Sequence, residues 1–246
     1  MLDQLTVIIK TIHRPWSCAR LIQSLDRHTP GVRIHVLDDG QPSRRLSRRY
    51  PEEARRVNEL IETEFDIGIS AGRNRLLETV KTPFFLLIDD DHVVTPNSNI
   101  ETLVSRLSDL GSDCDLLAAL SDDRGQPRCF HVDDSKRILY ASHGSHRVVE
   151  KLAFCDFVPN TFVARTGIIR EIGWDESLKV HEHWEFFYRA WQRGLRVAIT
   201  PEHSFDHRHL HNPSYNHLRR RSWYMRRGLQ KHGLRRFAWT SPPEET

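Results

Sequence analysis

Apolar positions come in two spacings that alternate along the chain. Thr6-Val7-Ile8-Ile9 is a β-branched run that reads as a strand; after a loop containing Arg14-Pro15, Ala19, Leu21, Ile22 and Leu25 recur at helical spacing. Thr29-Pro30-Gly31 interrupts the pattern, and residues 32–37 read as a second strand that stops at Asp38-Asp39-Gly40. Two strand–helix steps this close together predict a parallel sheet.

Residues 43–60 are charged and predict a helix, 61–65 a short strand, and 70–80 a helix behind the turn at Gly68. Phe84-Phe85-Leu86-Leu87-Ile88 has no polar alternation, as expected of a strand buried on both faces, and it runs straight into three aspartates. Further helices are expected at 99–110 and 181–192, and strands at 116–120, 129–132, 138–140 and 196–199. The chain is expected to be extended over 154–165 and helical over much of 213–237. The expected fold class is α/β, in one domain spanning residues 1–246, with residues 1–120 and 121–212 as its two halves and 213–246 as a basic, aromatic tail.

Composition narrows the class without changing this picture. In 246 residues, 38% hydrophobic and 28% charged content is ordinary for a globular protein, and no apolar run reaches the length of a membrane-spanning helix. Met1-Leu2-Asp3-Gln4 lacks the features of a signal peptide, so a cytoplasmic location is expected. Cys18, Cys114, Cys129 and Cys155 are scattered without a CxxC pair and indicate neither a zinc knuckle nor a disulfide framework. The net charge of +3 is small, but the C-terminal third is strongly basic, which suits a phosphate-bearing partner or an anionic membrane surface.

Candidate chemistry concentrates where strands end. In open α/β sheets ligands bind beyond the carboxyl ends of the strands, which places Asp39 and Asp89-Asp90-Asp91 on the binding edge. Three adjacent carboxylates repel one another, and a divalent ion such as Mn²⁺ or Mg²⁺ would compensate them; the alternative is an Asp-rich helix start favoured by the macrodipole. Thr11, Arg14 and Asp39 are candidates to contact a base or ribose. Gly68 to Asn74 opens a helix with small residues, and Arg73 there is placed to pair with phosphate or base oxygens. Glu182 and Glu185, three apart and near one helical face, and His183 are candidate general bases, since a carboxylate or a neutral imidazole can take the proton of an attacking hydroxyl. His203, His207, His209 and His211 offer a further metal ligand.

These motifs, in this order, resemble those of GT-A fold glycosyltransferases, most nearly the ganglioside-type β-1,4-N-acetylgalactosaminyltransferases and related bacterial family 2-like enzymes. The stretches that carry the resemblance are Ile9-Lys10-Thr11 with Arg14-Pro15, Asp38-Asp39, residues 65–74, residues 81–91, residues 158–166, Gly173-Trp174-Asp175 and residues 182–187. The resemblance implies a Rossmann-like nucleotide-binding half, residues 1–120, that holds a UDP-sugar through Thr11, Arg14, Asp39, Asp66, Gly68, Arg73, Asp89 and Asp90, and an acceptor and base half over residues 121–212. It implies a metal, Mn²⁺ or Mg²⁺, at Asp91, Asp89 and His207, and an acceptor side formed by Asn160, Trp174, Asp175 and Trp184. It further implies inverting transfer, with N-acetylhexosamine the expected sugar and a carbohydrate, glycolipid or glycoprotein the acceptor. The sequence departs from the common Glu-Asp pair by having Glu182-His183, which leaves the base open among Glu182, His183 and Glu185, with Glu182 ranked first because a carboxylate resembles the usual base.

Two other classes fit less well. A sugar-nucleotide nucleotidyltransferase needs a Gly-rich phosphate loop after the first strand, and Lys10 to Arg14 contains no glycine. A nucleic-acid-binding module would account for Arg219-Arg220-Arg221-Ser222-Trp223-Tyr224 but not for the acidic strand ends.

Overall fold

The computed structural model describes residues 1–121, 125–208 and 212–239. Its first part is a run of β–α steps: β1 (Leu5–Thr11), α1 (Pro15–His28), β2 (Arg33–Asp38), the short helices α2 (Leu46–Arg49) and α3 (Pro51–Ala54), β3 (Glu59–Glu62), α4 (Ile69–Thr79), β4 (Phe84–Leu87), β5 (His92–Val93), α5 (Ile100–Asp109) and β6 (Leu116–Ser121). The hairpin β7 (Arg128–Asp133) and β8 (Ile138–His143) follows, then β9 (Arg147–Val149), β10 (Leu152–Cys155), β11 (Phe162–Arg165), α6 (Thr166–Ile172), α7 (Glu182–Gln192) and β12 (Val197–His207). Helices α8 (Pro213–Arg219) and α9 (Trp223–Lys231) and strand β13 (Arg236–Ala238) close the described chain.

The main sheet has the order β3-β2-β1-β4-β11-β6-β12-β10-β9, with β5 paired to β12. Along that path only β11 and β10 run against the other strands, so the sheet is mostly parallel in direction. Strands from both sides of residue 120 belong to this one sheet. A second sheet, β13-β8-β7, is formed by the hairpin and the end of the tail.

Strand side chains alternate between the two faces. From β1, Leu5, Val7 and Ile9 join Leu21 and Leu25 of α1 and Leu103 and Leu107 of α5 in one core. Ile8 points the other way and joins Leu76 of α4 and Phe186 and Phe187 of α7 in a second. This double burial explains the unbroken apolar run of β4. The helix expected over 43–60 is instead two single turns, because Pro51 cannot continue the first and starts the second. The strand that follows begins at Glu59, two residues earlier than expected. β12 runs on to His207 through an irregularity between Thr200 and Ser204, which carries its end to β5. Among the described residues no helix is long and apolar enough to cross a membrane.

Candidate active site

The chain passes β1, β2 and β3 on one side and returns to place β4 on the other side of β1, making a topological switch point at the carboxyl ends of β1 and β4. Residues 11–14 and 89–91 meet there. Thr11 donates through Oγ1 to Asp90 Oδ2 (2.6 Å), and Arg14 donates to Asp91 Oδ2 (2.7 Å) and to Asp90 Oδ1. Arg14 lies 3.7 Å from the Tyr215 ring centroid, which caps it. Thr11 and Arg14 therefore hold the aspartate run in place, and Arg14 also lines the cleft described below.

The three carboxylates have separate environments. Asp90 is fully buried, and burial pushes its carboxyl up to about 6 against the opposing charge of Arg14. Burial also acts on Asp91, but contacts with His207 and His92 and the charge of Arg14 hold its carboxyl far below the usual range. Asp89 is the least buried of the three, and its Oδ1 accepts from Arg73 Nη2 at 3.0 Å.

Loss of Arg14 leaves a buried, uncompensated charge, so Arg14→Ala should cost about 3–5 kcal/mol of stability near neutral pH. Without the guanidinium the folded-state pKa of Asp90 rises further above its unfolded value. The loss, read from denaturant melts, should accordingly be smaller at pH 5, where the carboxyl is protonated, than at pH 8.

One group of atoms suits a metal. Asp91, His92 and His207 each offer a ligand atom, all within 4.8 Å of one another. Asp91 Oδ2 is 3.3 Å from His207 Nε2, Asp91 Oδ1 is 3.5 Å from His92 Nδ1, and the two imidazoles stack at 4.5 Å. One carboxylate and two imidazoles make a donor set suited to Mn²⁺ or a neighbouring first-row dication. His207 is delivered by the antiparallel pairing of β12 with β5, which sets it opposite His92. His92 is not among the ligands the sequence singles out; its one signal there is adjacency to the aspartates. Asp89, expected as a ligand, stands outside this group, as does His203. His209 and His211 lie outside the described residues.

Beside this group opens a cleft of about 270 Å³, at the small end of ligand-sized sites. Arg73, almost wholly buried on α4, spans its floor, donating to Asp89 and, through Nη1 at 2.9 Å, to Glu182 Oε1. Gly68, the residue before α4, has φ +100, and a Cβ there would lie 2.7 Å from the Lys179 Cα, so only glycine permits this approach. Asp39 is buried, accepting from Lys10 Nζ (2.6 Å) and from the Gly68 N–H (3.3 Å), while Arg221 grips both oxygens of Asp66 at 2.5 and 3.1 Å.

On the far wall, Glu182 and His183 at the start of α7, Asn160 and Trp184 line the cleft. His183 donates from Nε2 to the Val158 carbonyl (2.9 Å), leaving Nδ1 as acceptor, and burial lowers its pKa. The buried Trp184 indole N–H has no hydrogen-bond partner among the described residues. Glu185 does not line the cleft: its oxygens are taken by Arg189 and His232. Trp174 stacks on Phe186, and Asp175 is held by Lys231 and Ser177, so neither borders the cleft. The tail supplies Tyr215, Arg219 and Arg221, three cleft residues that spacing in the sequence could not place.

A mostly parallel sheet carrying a carboxylate–histidine group at its switch point, continuous with the strands behind the far wall, defines the GT-A fold. Residues 6–173 match glycosyl transferase family 2, and the chain belongs to that family. It is 31% identical over 220 residues to β-1,4 N-acetylgalactosaminyltransferase 1 of Homo sapiens and 27% identical over 206 residues to β-1,4 N-acetylgalactosaminyltransferase 2 of Mus musculus. Each alignment takes in 82% of this chain but only 38% and 39% of the relative, so the chain spans about two fifths of their length. Among solved structures, GalNAc-T7 with UDP, GalNAc and Mn²⁺ superposes with a TM-score of 0.66 at 17% identity, over 83% of this chain and 43% of that one.

Proposed function

We propose that this protein is a metal-dependent, inverting glycosyltransferase that moves a sugar, N-acetylhexosamine in our reading, from a UDP-sugar to a hydroxyl of a glycan, glycolipid or glycoprotein. The observation that carries the proposal is a cleft lined by Glu182, Arg73, Asp89 and Arg14, in which Arg73 is tied to both Asp89 and Glu182 and Arg14 donates to Asp91 of the adjoining Asp91–His92–His207 group. The named relatives and the UDP and Mn²⁺ in the GalNAc-T7 structure support it.

Asp91, His207 and His92 would hold the metal, which when bound supplies a Lewis acid for the departing diphosphate. Lys10, Arg219 and Arg221 give the cleft cationic groups that can pair with phosphate oxygens. Glu182 is the base in this reading. Arg73 fixes its Oε1, orienting the carboxylate so that it can take the proton of the acceptor hydroxyl as the hydroxyl attacks the anomeric carbon. Attack on the face opposite the leaving diphosphate inverts the anomeric centre. The unpartnered Trp184 N–H can then be satisfied by a sugar hydroxyl.

A donor screen tests the reading. With Mn²⁺, a UDP-N-acetylhexosamine should bind more tightly than UDP-Glc, and a GDP-sugar should not compete; calorimetry with and without EDTA reads the metal's share. Failure of every nucleotide sugar to bind, with metal and without it, would remove the proposal.

A further inference from the structure

A second group of metal-ligating side chains lies apart from the cleft, on the seam between the two sheets. Cys129 comes from β7 of the three-stranded sheet, His146 from the connection between β8 and β9, and Asp156 from the residue after β10 of the main sheet. Their ligand atoms all lie within 4.8 Å of one another. His146 Nε2 is 2.9 Å from Asp156 Oδ1, and the other Asp156 oxygen accepts the Phe130 N–H at 2.8 Å, which fixes the carboxylate. The His146 N–H donates to the Phe154 carbonyl, and Arg128 and Phe157 form a β-bridge beside the group, so all three ligands stand on paired backbone.

We propose that Cys129, His146 and Asp156 bind a thiophilic divalent ion of the zinc class, with water as fourth ligand, and that the ion pins the three-stranded sheet to the main one. Sulfur, nitrogen and oxygen in this proportion suit zinc better than magnesium or calcium, which take oxygen. Bond lengths of roughly 2.0–2.3 Å in a tetrahedron set ligand atoms about 3.5 Å apart, so the group must close by about an ångström at its widest. The half-exposed His146 side chain leaves the ion a way in. Burial and the charge of Asp156 push the Cys129 thiol up to about 11, so the metal-free group keeps its proton and binding releases it. The position has a consequence for the cleft: Phe237 of β13 and Trp239 beyond it line the cleft and ride on the sheet that the ion would fasten.

Cobalt(II) reports on this site because thiolate ligation gives a charge-transfer band that nitrogen and oxygen ligands do not. In Asp91→Ala protein, where the cleft group is broken, one equivalent of Co²⁺ should produce that band, and Zn²⁺ should displace it and raise the Tm. Asp91→Ala with Cys129→Ser should lose the band. His146→Ala, which alters a half-exposed side chain and spares the fold, should weaken Co²⁺ binding by at least about tenfold. Absence of a thiolate band in Asp91→Ala protein, its persistence without Cys129, or unchanged affinity in His146→Ala would each overturn the proposal.

Discussion

Asp91→Ala should abolish Mn²⁺-dependent binding of UDP, lowering affinity in the presence of metal by at least about a hundredfold, a loss larger than that typical for groups that merely orient a ligand. The reason lies in the unequal roles of the three aspartates. Asp90 is enclosed by Thr11 and Arg14 and Asp89 is tied to Arg73, whereas Asp91 alone faces two imidazoles. Arg14 keeps Asp90 as a partner in the variant, so the cleft should survive the change. Asp91→Asn is the control, since its amide oxygen can still accept from Arg14 while the charge a dication requires is gone. Calorimetric titration of UDP with Mn²⁺ and with EDTA reads the difference. Equal binding by wild type and both variants in Mn²⁺ would take the metal away from Asp91.

Glu182→Gln should leave donor affinity unchanged and lower turnover by about 10²–10⁴-fold, the range associated with loss of a general base. Glutamine keeps the carbonyl oxygen that Arg73 holds, so the variant isolates proton transfer from packing. Steady-state UDP release from the donor, measured beside UDP binding, makes the distinction. His183 is the rival: its Nδ1 is free to accept and burial favours its neutral form. Full turnover in Glu182→Gln together with collapse in His183→Gln would pass the role to His183. Glu185 is poorly placed to compete, because Arg189 and His232 hold its oxygens away from the cleft and, although burial works against them, lower its pKa.

How far the site was legible can be judged residue by residue. The aspartate run was visible because a buried strand that stops on three carboxylates is electrostatically costly unless something compensates it. The sequence could not say that Arg14 is the compensating group for two of them, since the pairing joins loops 76 and 77 residues apart. Gly68 and Arg73 were singled out at a helix start and lie there, at the cleft. Glu182 and Glu185 share a helical turn, yet only the first reaches the cleft, because the packing of α9 against α7 brings His232 onto the second.

The four cysteines show the same limit. Metal sites read from sequence depend on short, regular spacing, and Cys129, His146 and Asp156 have none; two strand pairings bring them together.

By itself, then, the amino-acid order determined the alternation of strands and helices, the parallel start of the sheet and the edge on which polar chemistry collects. Each of these rests on local periodicity and on the cost of burying charge, which neighbouring residues alone express. Tertiary structure decided which carboxylate faces the imidazoles, which glutamate opens on the cleft and that Tyr215, Arg219 and Arg221 of the tail enclose it. Those outcomes depend on side chains brought within a few ångströms by sheet order and helix packing, and no spacing along the chain encodes such distances.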